Sequence, residues 1–226
     1  MHGKSIPVIG APVPAADAVP PRASTPTAPS QLRRDVGKAH IEVPAPAAAE
    51  DEALATRLAG LVNAVYREAE DGIFKAPFER TTTAEVRDLL RAGGLAVAFL
   101  PPADGGQCAA GRRPAGCVYI RRASPTTGEF GMLAVDPECR GAGLGLALVR
   151  FAEDRCRSHL GLRAVRLELL APVHFEHPGK TRLQAWYTGL GYAMTELADF
   201  GEAYPRLSVL LSGPSEYRVF ERSLIA

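Results

Sequence analysis

Glu129-Phe-Gly-Met-Leu-Ala-Val135, followed by Asp136-Pro-Glu-Cys-Arg-Gly-Ala-Gly-Leu-Gly-Leu-Ala-Leu148, decides the fold. The first seven residues, apolar or glycine after Glu129, are of strand length. Leu144, Leu148, Phe151, Ala152 and Cys156 then recur at helical spacing. The order is strand, glycine-rich loop, helix. Such a loop presents unshielded backbone N–H groups at the positive end of a helix, where phosphates bind. Gly141, Gly143 and Gly145 alternate with the small or aliphatic Ala142 and Leu144, so the backbone can approach a pyrophosphate closely, and Arg140 adds a charged fork at the rim. The competing reading is a glycine turn that only packs helix on sheet.

Other phosphate-binding loops fit less well. A dinucleotide fingerprint needs glycine where Leu146 stands, and both dinucleotide and methyl-donor loops begin within a residue or so of the strand, whereas residues 136–140 intervene here. Gly179-Lys180-Thr181 also follows a strand and opens a helix, but a P-loop needs a further glycine at the position of His174.

Working outward, Leu54, Leu58, Leu61, Val62 and Val65 form one apolar face of a helix that starts near Asp51, and residues 83–91 read as a second helix ended by Gly93-Gly94. Residues 95–100 and 116–121 read as a hairpin around a polar, glycine-rich surface loop at 103–114. Residues 164–170 are a strand, 181–190 a helix stopped by Gly191, and 192–195 and 217–221 further strands. Hairpins followed by strand-helix-strand-helix predict an α/β fold of the α+β kind, a mixed sheet covered by helices, over residues 38–226. Residues 1–37, rich in Pro and Ala, read as a disordered tail with too few arginines and no helical period for a transit peptide.

Bulk properties narrow the function by exclusion. Lys+Arg 26 against Asp+Glu 25 leaves a net charge of +1, so no bulk field favours nucleic acid or an anionic membrane, and a charged ligand needs a local site. Cys108, Cys117, Cys139 and Cys156 form no C-x-x-C pair, which reads as reduced thiols. Neither a secretory signal nor an apolar stretch of about 20 residues is visible, and the expectation is a cytoplasmic protein.

The run Gly131 to Leu148 resembles motif A of the GNAT-type acetyltransferases, Arg/Gln-x-x-Gly-x-Gly/Ala, through Arg140, Gly143 and Gly145. Leu183-Gln-Ala-Trp-Tyr-Thr-Gly-Leu-Gly-Tyr192 is similar to motif B, an aliphatic helix with Tyr before Leu-Gly-Phe/Tyr. The resemblance is close over residues 129–194 and loose over 51–121. His177-Pro178 and Lys180 before Trp186-Tyr187 look like a little-characterised subgroup of microbial and fungal proteins.

That resemblance implies a central, mostly antiparallel sheet with a parallel splayed pair, helices on both faces, and acetyl-CoA as co-substrate without a metal. It implies that backbone at Leu133, Ala134 and Val135 holds the acetyl carbonyl and pantetheine, and that Arg140, Gly141, Ala142, Gly143, Leu144 and Gly145 hold the pyrophosphate. Tyr187 matches the family's helix tyrosine; a hydroxyl with a pKa of about 10 can protonate a departing thiolate, or the ring simply packs beside Trp186. Glu129 stands where histone-type members carry the glutamate that deprotonates the amine. Glu168, alternating with Leu167 and Leu169, is the reserve base. His174, Glu176 and His177 read as a solvated or substrate-binding loop, or as a metal site or a base. Lys180 stands where many members have Asn, and with Glu168, His174 and His177 it is a substrate-binding candidate. The expected reaction is acyl transfer by direct attack of a primary amine, on a small molecule or a protein, in a ternary complex catalysed by a monomer or homodimer. The alternative is a non-catalytic module of the same fold that binds or senses acyl-CoA.

Overall fold

The computed structural model describes residues 30–75, 78–101 and 112–225. Its elements run α1 (Ser30–Val36), β1 (His40–Glu42), α2 (Glu52–Ala69), α3 (Thr83–Arg91), β2 (Leu95–Leu100), β3 (Arg113–Arg122) and β4 (Thr127–Val135). Then come α4 (Leu144–Asp154), β5 (Ala164–Pro172), α5 (Pro178–Gly189), β6 (Ala193–Ala198), α6 (Phe200–Ala203), α7 (Pro205–Ser208) and β7 (Ser215–Ser223). Most of the expected tail, residues 1–29, lies outside the described residues, as does most of the loop expected at 103–114, with Cys108. The tail's last part differs from expectation. Ser30–Val36 is helical, and buried Val36 with half-buried Leu32 packs into the main core.

Local chemistry explains the helix starts. Asp51 accepts a hydrogen bond from Leu54 N at the start of α2, and Thr82 with Glu85 forms a reciprocal capping box at the start of α3. α5 begins three residues earlier than its periodicity predicts, because His177 caps it and Pro178 fits the first turn.

The sheet has seven strands in the order β1-β2-β3-β4-β5-β7-β6. All pairs are antiparallel except β4 with β5. One face carries α4 and α5 over a core that includes Phe130, Leu133, Leu148, Leu167, Leu169 and Tyr187. The other carries α2 and α3 over Leu58, Val62, Leu89, Val97 and Met132. A third cluster, with Ile73, Phe74, Leu170, Phe200, Tyr204 and Tyr217, ties the α2–α3 and β6–β7 connections to β5 and β7.

The β4–β5 pair positions everything that follows. Thr127↔Ala164, Gly128↔Val165 and Glu129↔Arg166 are its whole register. Beyond Glu129 the strands part, while β5 stays paired with β7 as far as Pro172. The sheet therefore opens as a wedge whose apex lies at Glu129 and Phe130, and one backbone edge of β4 faces the wedge rather than a strand.

Candidate active site

A bulge shapes the β4 wall of the wedge. Between the pairs Cys117↔Ala134 and Tyr119↔Gly131, three steps of β4 oppose two of β3, and Met132 sits at φ 48°. Methionine rarely adopts the left-handed region, and such strain persists only where packing imposes it. Met132 is buried among the α2–α3 core residues. The bulge turns the backbone at residues 132–133 out of the β3 ladder, close to where the strands part. No sequence pattern foretells it.

At the open end of the wedge, Asp136 fixes the start of the glycine loop by accepting from Arg113 Nη1 at 2.5 Å and from Glu138 N at 3.0 Å. Gly141 at φ 71° and Gly143 at φ 87° carry the chain through conformations that a side chain would strain. Gly143 is the N-cap of α4; no side chain caps this helix and no acidic residue lies in its first turn. The first-turn N–H groups thus lack an intrahelical acceptor and leave a site of anion chemistry. Arg140, expected as a charged fork at the rim, is held by α2: its Nη1 donates to Glu68 Oε1 at 2.7 Å, while its Nε is buried without a partner.

At the apex stands Tyr187. Its ring packs against Trp186, Tyr192 and Phe130, with centroids 5.0, 5.8 and 6.2 Å away. The residue is 0% exposed, and its hydroxyl is buried with no hydrogen-bond partner. Burial pushes the phenol well above the ordinary tyrosine range, so the group keeps its proton. Packing beside Trp186 accounts for the ring but not for the hydroxyl.

The two glutamates lie together on the opposite face of the sheet from Phe130 and Leu167, and they differ in their partners. Glu129, 2% exposed, receives Arg121 Nε at 2.8 Å on one oxygen and Arg166 Nε at 2.9 Å on the other. Glu168 accepts the hydroxyls of Tyr217 and Tyr204 on Oε2 and has Arg166 Nη2 3.6 Å from Oε1. Burial, with the Glu129 charge beside it, raises the proton affinity of Glu168. Its expected direction, opposite to Leu167 and Leu169, is the one it takes, into a buried polar cluster.

Lys180 is buried, 4% exposed, with Nζ 3.3 Å from Oε1 of Glu70 at the end of α2. Burial lowers its proton affinity against the opposing pull of Glu70. The second oxygen of Glu70 has no partner. His177 spends its ring nitrogen on the helix cap, accepting from Lys180 N at 3.3 Å, and burial depresses its proton affinity further. His174 is exposed and bonded to Pro214 O. Among the described residues no group of His, Cys, Asp and Glu is arranged to hold a metal ion. Cys117, Cys139 and Cys156 are free and buried, and burial raises their thiols to about 12, about 11 and about 11. As protonated thiols they are poor nucleophiles, which disfavours a thioester intermediate on any of them. Among the described residues no helix is long and apolar enough to cross a membrane.

Glu68, Glu70 and Arg80 escape a sequence reading. Charged residues at a helix end or in a loop carry no periodic signal that distinguishes a buried partner from a solvated one.

The sequence profile of the acetyltransferase (GNAT) family matches residues 64–192, more than half of the 226-residue chain. No curated protein sequence matches it. Among solved structures, Ard1 from Thermoplasma volcanium is similar with a TM-score of 0.51 at 18% identity, over 83% of this chain and 99% of that one. An aminoglycoside 6'-N-acetyltransferase complexed with coenzyme A gives 0.54 at 14% identity, over 77% and 92%. N-acetylglutamate synthase from Neisseria gonorrhoeae, complexed with coenzyme A and N-acetyl-glutamate, gives 0.51 at 15% identity, over 83% of this chain and 35% of that one. At these identities the likeness is one of fold.

Proposed function

The chain belongs to the acetyltransferase (GNAT) family, and from that premise we propose that it transfers an acyl group from acyl-CoA, acetyl-CoA in the simplest case, to a primary amine held on the Glu168 side of the wedge. The observation that carries this reading is the Tyr187 hydroxyl, fully buried where the strands part and without a partner. An unmet buried donor costs about 1–3 kcal/mol, so it points to an acceptor that arrives with the substrate.

The wall and loop fit an acyl-CoA. The free edge of β4 at Leu133 to Val135 offers backbone groups to the pantetheine, and residues 140–145 with the uncapped α4 offer N–H groups to the pyrophosphate. Acyl-CoA supplies the activated carbonyl and the thiolate leaving group. Tyr187 holds a proton at its hydroxyl for that thiolate: burial keeps the phenol protonated, and a thiolate formed beside it in the same dry surroundings has its own proton affinity raised by the same desolvation. The packed rings of Phe130, Trp186 and Tyr192 exclude water around it.

For removal of the amine's proton the geometry favours Glu168 over Glu129. Both oxygens of Glu129 are engaged by guanidinium groups, which stabilise the ionised form and weaken it as a base. Glu168 is held by two hydroxyls and has raised proton affinity. In this reading Glu129 orients Arg121 and Arg166 and polarises Glu168. Lys180 and Glu70 form the floor between α2 and α5.

Calorimetric titration of the purified protein with acetyl-CoA, with S-adenosylmethionine and ATP as controls, tests the proposal first. Micromolar binding of acetyl-CoA alone is expected, followed by amine-dependent release of free CoA thiol. No binding sinks the co-substrate assignment; binding without turnover of any amine supports the non-catalytic alternative.

A further inference from the structure

Among the buried and half-buried charges of this site, one guanidinium is left over. Arg121 and Arg166 are matched with Glu129 and Glu168, and Lys180 with Glu70. Arg80, in the α2–α3 connection, pairs with no carboxylate among the described residues. Its Cζ lies 4.5 Å over the ring of Tyr66, and its Nη1 is buried with no hydrogen-bond acceptor. A ring face partly offsets the charge but does not accept the directed N–H groups.

The position of Arg80 is fixed by its surroundings. Asn63 of α2 accepts from the backbone N–H of Arg80 at 2.8 Å and of Thr81 at 3.0 Å, and it donates to Thr81 O at 2.9 Å. The side chain is therefore launched from a pinned backbone immediately before the capping box of α3. It reaches the space between α2, α5 and the β6–β7 connection, where its charge acts on Lys180 and on Tyr204, and Tyr204 in turn hydrogen-bonds Glu168. Tyr66, beneath it, lies near Tyr187. Arg80 thus stands on the acceptor side, apart from the loop proposed for the pyrophosphate.

We propose that Arg80 binds a carboxylate carried by the acceptor, so that the amine acylated by this protein belongs to an amino acid or another amino-carboxylate. The proposal rests on the amine-acceptor reading above. Four cations, Arg80, Lys180, Arg121 and Arg166, face three carboxylates, Glu70, Glu129 and Glu168, and a single anionic group would complete the set. A planar guanidinium fork with a free N–H matches a carboxylate in both geometry and charge. The acceptor would then be held at two points, its carboxylate on Arg80 and its amine toward Glu168. A simple alkylamine would leave the buried Nη1 of this half-buried guanidinium unmet.

The test uses amine pairs that differ only by the carboxylate: L-phenylalanine with 2-phenylethylamine, L-leucine with 3-methylbutylamine, and L-lysine with 1,5-diaminopentane. Each is titrated calorimetrically into the full-length protein saturated with CoA, and turnover is followed with acetyl-CoA. In at least one pair the carboxylated member is expected to bind and react at least about ten-fold better, the usual discrimination of a charge-assisted hydrogen bond. Arg80→Gln should bring the members of that pair within about two-fold while leaving CoA affinity unchanged, and Arg80→Lys should keep part of the preference. The inference is overturned if the decarboxylated member matches its partner in every pair, if no member binds, or if the preference survives in Arg80→Gln. CoA affinity of the same preparations separates these failures from failure of the acyl-transfer reading. The wild-type comparison stands even where a variant does not fold.

Discussion

Replacing Tyr187 by phenylalanine should make the ligand-free protein more stable and the enzyme much slower, and the opposite signs are the point of the experiment. The ring keeps its contacts with Phe130, Trp186 and Tyr192, so little packing is lost. What disappears is a hydroxyl buried without a partner. An unmet buried polar group costs about 1–3 kcal/mol, and taking the low end gives a gain of about 1 kcal/mol in the absence of ligand. For a chain of this size that corresponds to a rise in melting temperature of about 2–4 °C. Loss of a general acid should lower kcat by about 10²-fold or more, with CoA affinity nearly unchanged. Differential scanning calorimetry of the ligand-free proteins, together with steady-state release of CoA thiol, reads both effects. A lower melting temperature would mean that the hydroxyl already has a partner in the folded protein, and an unchanged kcat would remove Tyr187 from proton transfer. Either result refutes the reasoning from the orphaned hydroxyl.

Gly143→Ala places a side chain at φ 87° and should cost about 1–2 kcal/mol of stability, with a further loss of CoA affinity; an unchanged urea midpoint would show that the turn relaxes. Glu129→Gln leaves Arg121 and Arg166 without their shared carboxylate. Because both guanidiniums are about one-third exposed, the loss expected in urea unfolding is about 2 kcal/mol rather than that of a fully buried pair. Glu68→Gln frees Arg140 and removes a negative charge beside the proposed pyrophosphate loop, so acetyl-CoA should bind about 2–5-fold more tightly at low salt and less so as salt is added. All 6 tyrosines have proton affinities raised by burial. Above the ordinary value of about 10 the unfolded chain releases phenolic protons that the folded one retains, so stability should fall as pH rises through that value. Phenolate absorbance should accordingly appear together with the loss of near-ultraviolet circular dichroism; a phenolate titration near pH 10 in a still-native protein would contradict it.

Where the chemistry is local, the sequence was enough. The apolar period of α2, the Gly93-Gly94 stop after α3, the glycines of the loop after β4 and the Gly191 stop after α5 act within a few residues, and each shapes its element from its own neighbourhood. The order of those elements, with the two motifs, was enough for the mixed sheet and for the glycine loop as a phosphate-binding candidate. The short elements were missed for the same reason. The three residues of β1 and the single turns α6 and α7 are too short to show a period, and α1 lies within a stretch whose composition reads as tail.

Partnership between distant residues was decided only by the tertiary structure. Nothing near Glu129 announces that Arg121 and Arg166 close on it, and nothing near Arg140 announces Glu68. Glu129 as a base and Arg140 as a charged fork at the rim are expectations from resemblance and residue type, and the ion pairs are the partners that the tertiary structure adds to them. The bulge that forces Met132 to φ 48° arises from the mismatch between two paired strands, a property of neither strand alone. Arg80 and Glu70 are ordinary polar residues in the sequence; their unmet atoms exist only because α2, α5 and the α2–α3 connection remove water from around them. Side-chain charge is written in the chain, but its solvation is written in the packing, and solvation decides which charges are free to act.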